Sequence, residues 1–270
     1  MPLAAKGKLT VDYTEQGAGP PVVLLHSSVS GNRQWRALTD ELSDRYRVLA
    51  VNLFGYGDTT PWPDNSSQSL YAQASLVLCL PSLEKQEMHV VGHSFGAAVA
   101  LRLALMLGKR VKKLVLIEPN PFNLLKQEGR TGAYLEIRAL RDHVKCFGSL
   151  GDWEPVGERF AEYWLGDGAW AAMPEKRRAA FTAALRPNYY EWDAVMSEEA
   201  TLGDWRSIAA EALVISDPRT RRPIREIVEL LAQACPHWSF QAMSGGHMAP
   251  LTRPELVNPL VRRFLDGAAS

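Results

Sequence analysis

The chain has 270 residues, with 30 Lys plus Arg against 30 Asp plus Glu, and 46% of its residues are hydrophobic. That length buries a sizeable core, as one large α/β domain or two small ones, and nothing in the composition suggests disorder. The charge balance excludes a global field that would draw in nucleic acid or an anionic membrane surface, so the expected partner is a small neutral or amphiphilic molecule.

The start, Met1-Pro2-Leu3-Ala4-Ala5-Lys6, turns polar before an apolar leader develops, and no run approaches the length of a bilayer span. The expectation is a cytoplasmic protein without a membrane partner. Oligomeric state is not legible here. Cys79, Cys146 and Cys235 are odd in number, far apart and without metal-ligand spacing, so each reads as a small packing residue.

In chain order, Lys8 to Tyr13 alternates as an edge strand does, and Gln16 to Pro21 is a turn. Val22 to Leu25 is a short apolar run, the mark of a strand covered on both faces. Gln34 to Leu42 has helical spacing of Trp35, Leu38 and Leu42. Arg47 to Val51 is a further buried strand, and Asn52 to Pro63 is loop by its Gly and Pro content. Leu70 to Leu80 reads as a helix, Met88 to Val91 as a strand, Ala97 to Leu107 as a helix and Val111 to Ile117 as a strand. Strands that are unbroken Val, Leu and Ile runs alternating with helices predict an α/β fold, a mostly parallel sheet with helices on both faces.

The alternation lapses between about Pro119 and Ala209, where helical patterns cover Tyr134 to Phe147, Val156 to Leu165 and Pro174 to Leu185 among many aromatic residues. It resumes with a strand at Ala212 to Ser216, a helix at Arg222 to Ala234, a strand at Trp238 to Met243 and a helix at Pro254 to Phe264. The expected organisation is a core of residues 1–118 and 210–270 with a helical cap inserted at 119–209. A helical layer with its own small core is the plainer alternative. No internal repeat or low-complexity segment is visible.

Gly92-His93-Ser94-Phe95-Gly96 sits between the strand at Met88 and the helix after Ala97. In that setting G-x-S-x-G marks a nucleophilic serine on a strained turn, because a Cβ at either glycine would collide with the neighbouring strand or helix. The same turn aims a helix N-terminus, with unpaired N–H groups, at any anion forming beside the serine.

With the elbow, the element order and the insertion taken together, the chain resembles the α/β-hydrolase family over almost its whole length. The resemblance extends to Leu24-Leu25-His26-Ser27-Ser28, where the family usually has a strand ending in His-Gly. It also covers Phe54-Gly55-Tyr56-Gly57-Asp58, like its G-x-G loop, and Gly245-Gly246-His247 with the helix start Pro254-Glu255, like its terminal loop. It implies Ser94 as nucleophile and His247 as base, since a neutral imidazole takes the serine proton near neutral pH and returns it to the leaving group. His93 adjoins Ser94, but neighbours at such an elbow point in different directions, so His26 and His93 read as braces for the loops. The implied oxyanion donors are the Phe95 N–H and the Ser28 N–H.

The acid departs from the common pattern. The usual aspartate position after the seventh strand is occupied by Arg219, which cannot accept a hydrogen bond from imidazole. Glu118, in Leu116-Ile117-Glu118-Pro119, matches the alternative acid position of some members. Asp217 is the other candidate, unless it caps the following helix or pairs with nearby arginines. A strand-end carboxylate held only by local hydrogen bonds is the bland reading of Glu118.

The resemblance thus implies a serine hydrolase that needs no cofactor or metal and cleaves an ester, thioester or lactone bond of a partly apolar small molecule through an acyl-enzyme. A serine at the elbow argues against the dehalogenase and epoxide hydrolase chemistry that uses an aspartate there. Carbon–carbon or amide hydrolysis, acyl transfer, and a non-catalytic binding role suggested by Arg219 remain the alternatives.

Overall fold

The computed structural model describes residues 2–267. Its strands are β1 (Leu3–Lys6), β2 (Leu9–Gln16), β3 (Pro21–Leu25), β4 (Arg47–Val51), β5 (Met88–His93), β6 (Val111–Ile117), β7 (Glu211–Ser216) and β8 (Ser239–Ala242). Among the described residues they form one sheet in the order β1-β2-β4-β3-β5-β6-β7-β8. β1 and β2 pair antiparallel, as do β2 and β4, and every later pairing is parallel.

Burial on both faces explains why the central strands read as unbroken apolar runs. Val22 and Leu24 of β3 join one core cluster and Val23 and Leu25 the other. The same alternation places Val115 and Ile117 of β6 opposite Leu114 and Leu116, and Leu213 and Ile215 of β7 opposite Ala212 and Val214. The helices α1 (Arg36–Leu42), α2 (Leu70–Ser75), α3 (Phe95–Leu107), α4 (Asn123–Gln127), α5 (Thr131–Ser149), α6 (Trp153–Leu165), α7 (Ala169–Ala172), α8 (Glu175–Met196), α9 (Leu202–Arg206), α10 (Arg222–Ala234), α11 (Ala249–Thr252) and α12 (Pro254–Asp266) complete the chain. Leu38 and Leu42 of α1 and Val257, Val261 and Leu265 of α12 cover one face, while α2, α3 and α10 cover the other. Among the described residues no helix is long and apolar enough to cross a membrane.

Several elements differ from the sequence expectation. The strand read at Lys8 to Tyr13 as an edge is β2, which lies between β1 and β4, and the short helices α4, α7 and α9 are unexpected. Leu3–Lys6 forms a hairpin strand with β2, through register pairs such as Ala4 with Val11, although only Ala4 of its four residues is buried. The helix expected over Leu70 to Leu80 stops at Ser75 and breaks into two 3-10 turns, the second opened by Pro81. The helix expected to end at Leu185 runs on to Met196 straight through Pro187. A proline there forfeits one helical hydrogen bond. It packs instead against the loop after β4, where a Cβ on Gly55 would come within 2.9 Å of the Pro187 ring.

The six helices α4 to α9 all lie between β6 and β7. Their apolar stripes, such as Ala133, Ile137, Leu140 and Val144 of α5 at helical spacing, belong to the same core cluster as one face of the sheet. Ala161, Trp170 and Met173 form a small satellite.

The sheet order reverses at β3, whose neighbours are β4 and β5, so a crevice opens at the carboxyl ends of the strands there. The β5 to α3 crossing beside it is as tight as backbone allows. A Cβ on Gly92 would lie 2.3 Å from the Gly96 carbonyl oxygen, and one on Gly96 would lie 2.1 Å from the Leu25 carbonyl oxygen. The expected outcome for Gly96→Ala is therefore a loss of about 1–3 kcal/mol or more of stability, read as a lower denaturation midpoint, because the clash is with backbone that cannot swing aside.

Candidate active site

The loops that leave the carboxyl ends of β3, β5, β6, β7 and β8 carry Ser28, Ser94, Glu118, Asp217 and His247 respectively. Five adjacent strand ends thus converge on one crevice. Ser94 has φ 53° and ψ −116°, a region that L residues rarely occupy and that costs roughly 1–3 kcal/mol. It is held there because its N–H donates to the Ile117 carbonyl at 2.8 Å while its own carbonyl accepts from Ala97 and Ala98 at the start of α3. Glu118 is likewise left-handed, at φ 50°, and its N–H donates to the Ile215 carbonyl at 2.9 Å.

This backbone brings three side chains into line. The Ser94 Oγ lies 3.0 Å from His247 Nε2, and His247 Nδ1 lies 3.1 Å from Glu118 Oε2. Serine, histidine and glutamate are 4%, 8% and 0% exposed, so their interactions are little screened by water. Among the described residues no lysine or arginine pairs with Glu118. Its Oε1 accepts from the Asp217 N–H at 2.7 Å, and its Oε2 also accepts from the Thr220 hydroxyl.

Asp217, the other candidate acid, is turned elsewhere. Its Oδ1 accepts from the Arg219 N–H at 2.8 Å and its Oδ2 from the Gly246 N–H at 2.9 Å, so it braces the loop that carries His247 and does not touch the imidazole. Burial pushes the Asp217 carboxyl up, but these two amides together with the Arg219 side chain outweigh it and hold the group below the ordinary value. Arg219 itself reaches back to Asp217 at 3.5 Å.

The two other histidines near the site are structural in their contacts. His93 accepts from the Gln34 amide on Nδ1 at 3.1 Å and donates from Nε2 to the His247 carbonyl at 2.8 Å. Burial, with His247 alongside, lowers its pKa well below the ordinary value. His26 donates from Nδ1 to the Ser27 carbonyl and accepts the Leu53 N–H on Nε2. Burial brings it down to about 4. Both rings are therefore neutral spacers.

The Phe95 and Ser28 N–H groups find no acceptor among the described residues, and both residues line the cavity above Ser94. That cavity has a volume of about 500 Å³ and a largely apolar wall of Phe122, Phe160, Trp164, Phe181, Trp192 and Val195, the size and character of a small-molecule site. All but Phe122 come from α6 and α8.

Several residues at the site were not singled out by sequence. Trp164 lies stacked on His247, with ring centroids 4.3 Å apart. The Asn120 amide is 3.4 Å from Ser94 Oγ, and its place two residues after Glu118 was the available signal. Glu191 is 1% exposed. It falls on the buried stripe of α8 that also holds Leu185, Asn188, Trp192 and Val195; an acid on an apolar stripe is a readable anomaly.

Comparison with known proteins agrees with the architecture. A model of the alpha/beta hydrolase family matches residues 22–260. Over 265 residues the chain is 22% identical to (E)-2-((N-methylformamido)methylene)succinate hydrolase of Acinetobacter baylyi, covering 95% of this chain and 94% of that one. It is 28% identical over 224 residues to 2-hydroxymuconate semialdehyde hydrolase of Pseudomonas sp. strain CF600, covering 74% and 70%. Among solved structures, the enol-lactonase of Burkholderia xenovorans LB400 superposes with a TM-score of 0.78 at 18% identity, over 98% of this chain and 100% of that one. The match of the family model across most of the chain, on a fold of this strand order, establishes that the protein belongs to the alpha/beta hydrolase family.

Proposed function

We propose that the protein is a serine hydrolase that cleaves an ester-type bond of a small, partly apolar molecule through an acyl-enzyme. The observation that carries this reading is the line of hydrogen-bonding contacts from Ser94 through His247 to Glu118, with the serine held at a strained turn on the floor of an apolar cavity. Ser94 Oγ attacks the substrate carbonyl as His247 Nε2 takes its proton. Glu118 holds the imidazole with Nδ1 protonated and stabilises the imidazolium that forms. The carbonyl oxygen, now negative, turns to the Phe95 and Ser28 N–H groups, each worth about 2.7–4 kcal/mol in the transition state. The imidazolium then protonates the leaving group, and a water activated by the same histidine releases the acid.

In this reading residues 1–118 and 210–270 supply the chemistry and 119–209 act as a cap whose aromatic side chains hold the apolar part of the substrate. Trp164, flat against His247, keeps bulk water from one face of the base. Hydrolysis of a carbon–carbon bond next to a carbonyl is the second reading, favoured by the similarity to 2-hydroxymuconate semialdehyde hydrolase.

The first test is intact-mass analysis after reaction with a fluorophosphonate. Wild type should gain one adduct and Ser94→Ala and His247→Ala none; folded wild type that does not react would move the protein to a non-catalytic binding role. For the acid, Glu118→Gln should lower kcat by about a thousandfold or more, since the amide cannot hold the same tautomer and charge, whereas Asp217→Asn should lose much less. The reverse order of effects on an activated ester would make Asp217 the acid. Turnover of aryl esters against vinylogous diketones decides between the two bond types.

A further inference from the structure

The cavity wall holds one acid that the proposed reaction does not use. Glu191 projects from the buried stripe of α8, and its Oε2 accepts from the Ser28 hydroxyl at 2.5 Å and from the Asn188 amide at 3.0 Å. Its Oε1 has no hydrogen bond of good geometry. Among the described residues no lysine or arginine pairs with it. Arg177, the cation on the cavity wall, stands fourteen residues earlier on the same helix, about 21 Å along the axis.

Among the described residues, no lysine or arginine of another element lines the cavity beside it. The Tyr56 hydroxyl, which accepts the Val29 N–H at 2.9 Å, lies close enough for the two groups to affect each other's ionisation, and burial together with Glu191 keeps the phenol protonated. His26, edge-on to Tyr56 with centroids 4.6 Å apart, is neutral for the reason given above. Across the cavity stand His247 and, behind it, Glu118. A buried carboxylate without a counter-ion is costly, and such a group takes up a proton instead. The position adds a second reason: Ser28 offers the N–H expected to face the oxyanion, and a carboxylate one hydrogen bond away would oppose the charge forming there.

We propose that Glu191 is a positioning residue for this reaction, a neutral carboxylic acid that fixes Ser28 through its hydroxyl and so aims the Ser28 N–H at the oxyanion. The proposal rests on the hydrolase reading. Burial raises the Glu191 carboxyl above its ordinary value, against the hydrogen bonds from Ser28, Asn188 and Tyr56 that lower it. The sign follows: the acid is neutral below its raised value and ionises as the pH climbs through it, so kcat carries a decline on the alkaline side of that value.

The test is kcat and KM for an activated ester across the pH range, in wild type and three variants. Glu191→Leu should lose about tenfold to a hundredfold in kcat with KM little changed, because the oxyanion exists only in the transition state. Glu191→Gln, uncharged and still an acceptor for Ser28, should recover most of that loss and abolish the alkaline decline. Ser28→Ala, which keeps the N–H and leaves the core untouched, should lower kcat in the same sense even if Glu191→Leu folds poorly. Infrared difference spectra should show a protonated carboxyl band in wild type that disappears in Glu191→Gln. A Gln variant as impaired as Leu, a kcat untouched in Ser28→Ala, or no such band in wild type would overturn the proposal. The infrared result stands apart from turnover, so a wild type that fails to react with the fluorophosphonate would sink the hydrolase reading while still reporting whether Glu191 is neutral.

Discussion

The Glu118 carboxylate, at the end of β6, gathers three donors from two other strand ends: the imidazole of the loop after β8, and the Asp217 N–H and the Thr220 hydroxyl after β7. Among the described residues no lysine or arginine pairs with it, so its partners are a backbone amide, a hydroxyl and the imidazole. Asp217 works outward from the same point. By holding Gly246 and Arg219 on its two oxygens it stiffens the loop from which His247 projects, so the two acids divide orientation of the ring from orientation of its backbone.

Three carboxyl groups in one small region thus meet three different surroundings. Glu118 has donors on both oxygens, Asp217 has backbone amides and a nearby guanidinium, and Glu191 has donors on one oxygen and an apolar wall for much of the rest. Burial is common to all, so the hydrogen bonds received and the sign of the nearest charge decide how each behaves. Residue type alone would have made them equivalent.

What was legible in the sequence follows the same division between strong periodic signals and contacts made at a distance. β4, β6 and α10 were readable to the residue because two-sided burial imposes unbroken apolar runs and a helix buries a regular stripe. The elbow was readable because Gly92 and Gly96 each face backbone at a distance that excludes a side chain. The β1 hairpin was not, since three of its four residues are exposed and its pairing with β2 rests on backbone hydrogen bonds. The length of α8 was hidden by Pro187, a breaker in isolation that tertiary packing against Gly55 overrides. Glu118 could be named because its strand end was visible, but which of Glu118 and Asp217 faces His247 depended on which way two adjacent carboxylates turn. Trp164 stood in the sequence as one aromatic among many, and only its ring plane against His247 sets it apart.

The helices between β6 and β7 touch His247 and Ser28 at two points, Trp164 on the imidazole and Glu191 on the Ser28 hydroxyl, while the rest of their contribution to the cavity is largely apolar wall. An apolar wall is tolerant of exchange at constant volume, whereas a stacked ring and a short hydrogen bond are not. The insertion is therefore interchangeable in most of its lining and committed at two sites. A graft of this segment from another member of the family would keep the sheet's machinery in register only where an aromatic plane and a donor-accepting side chain arrive at those same two places.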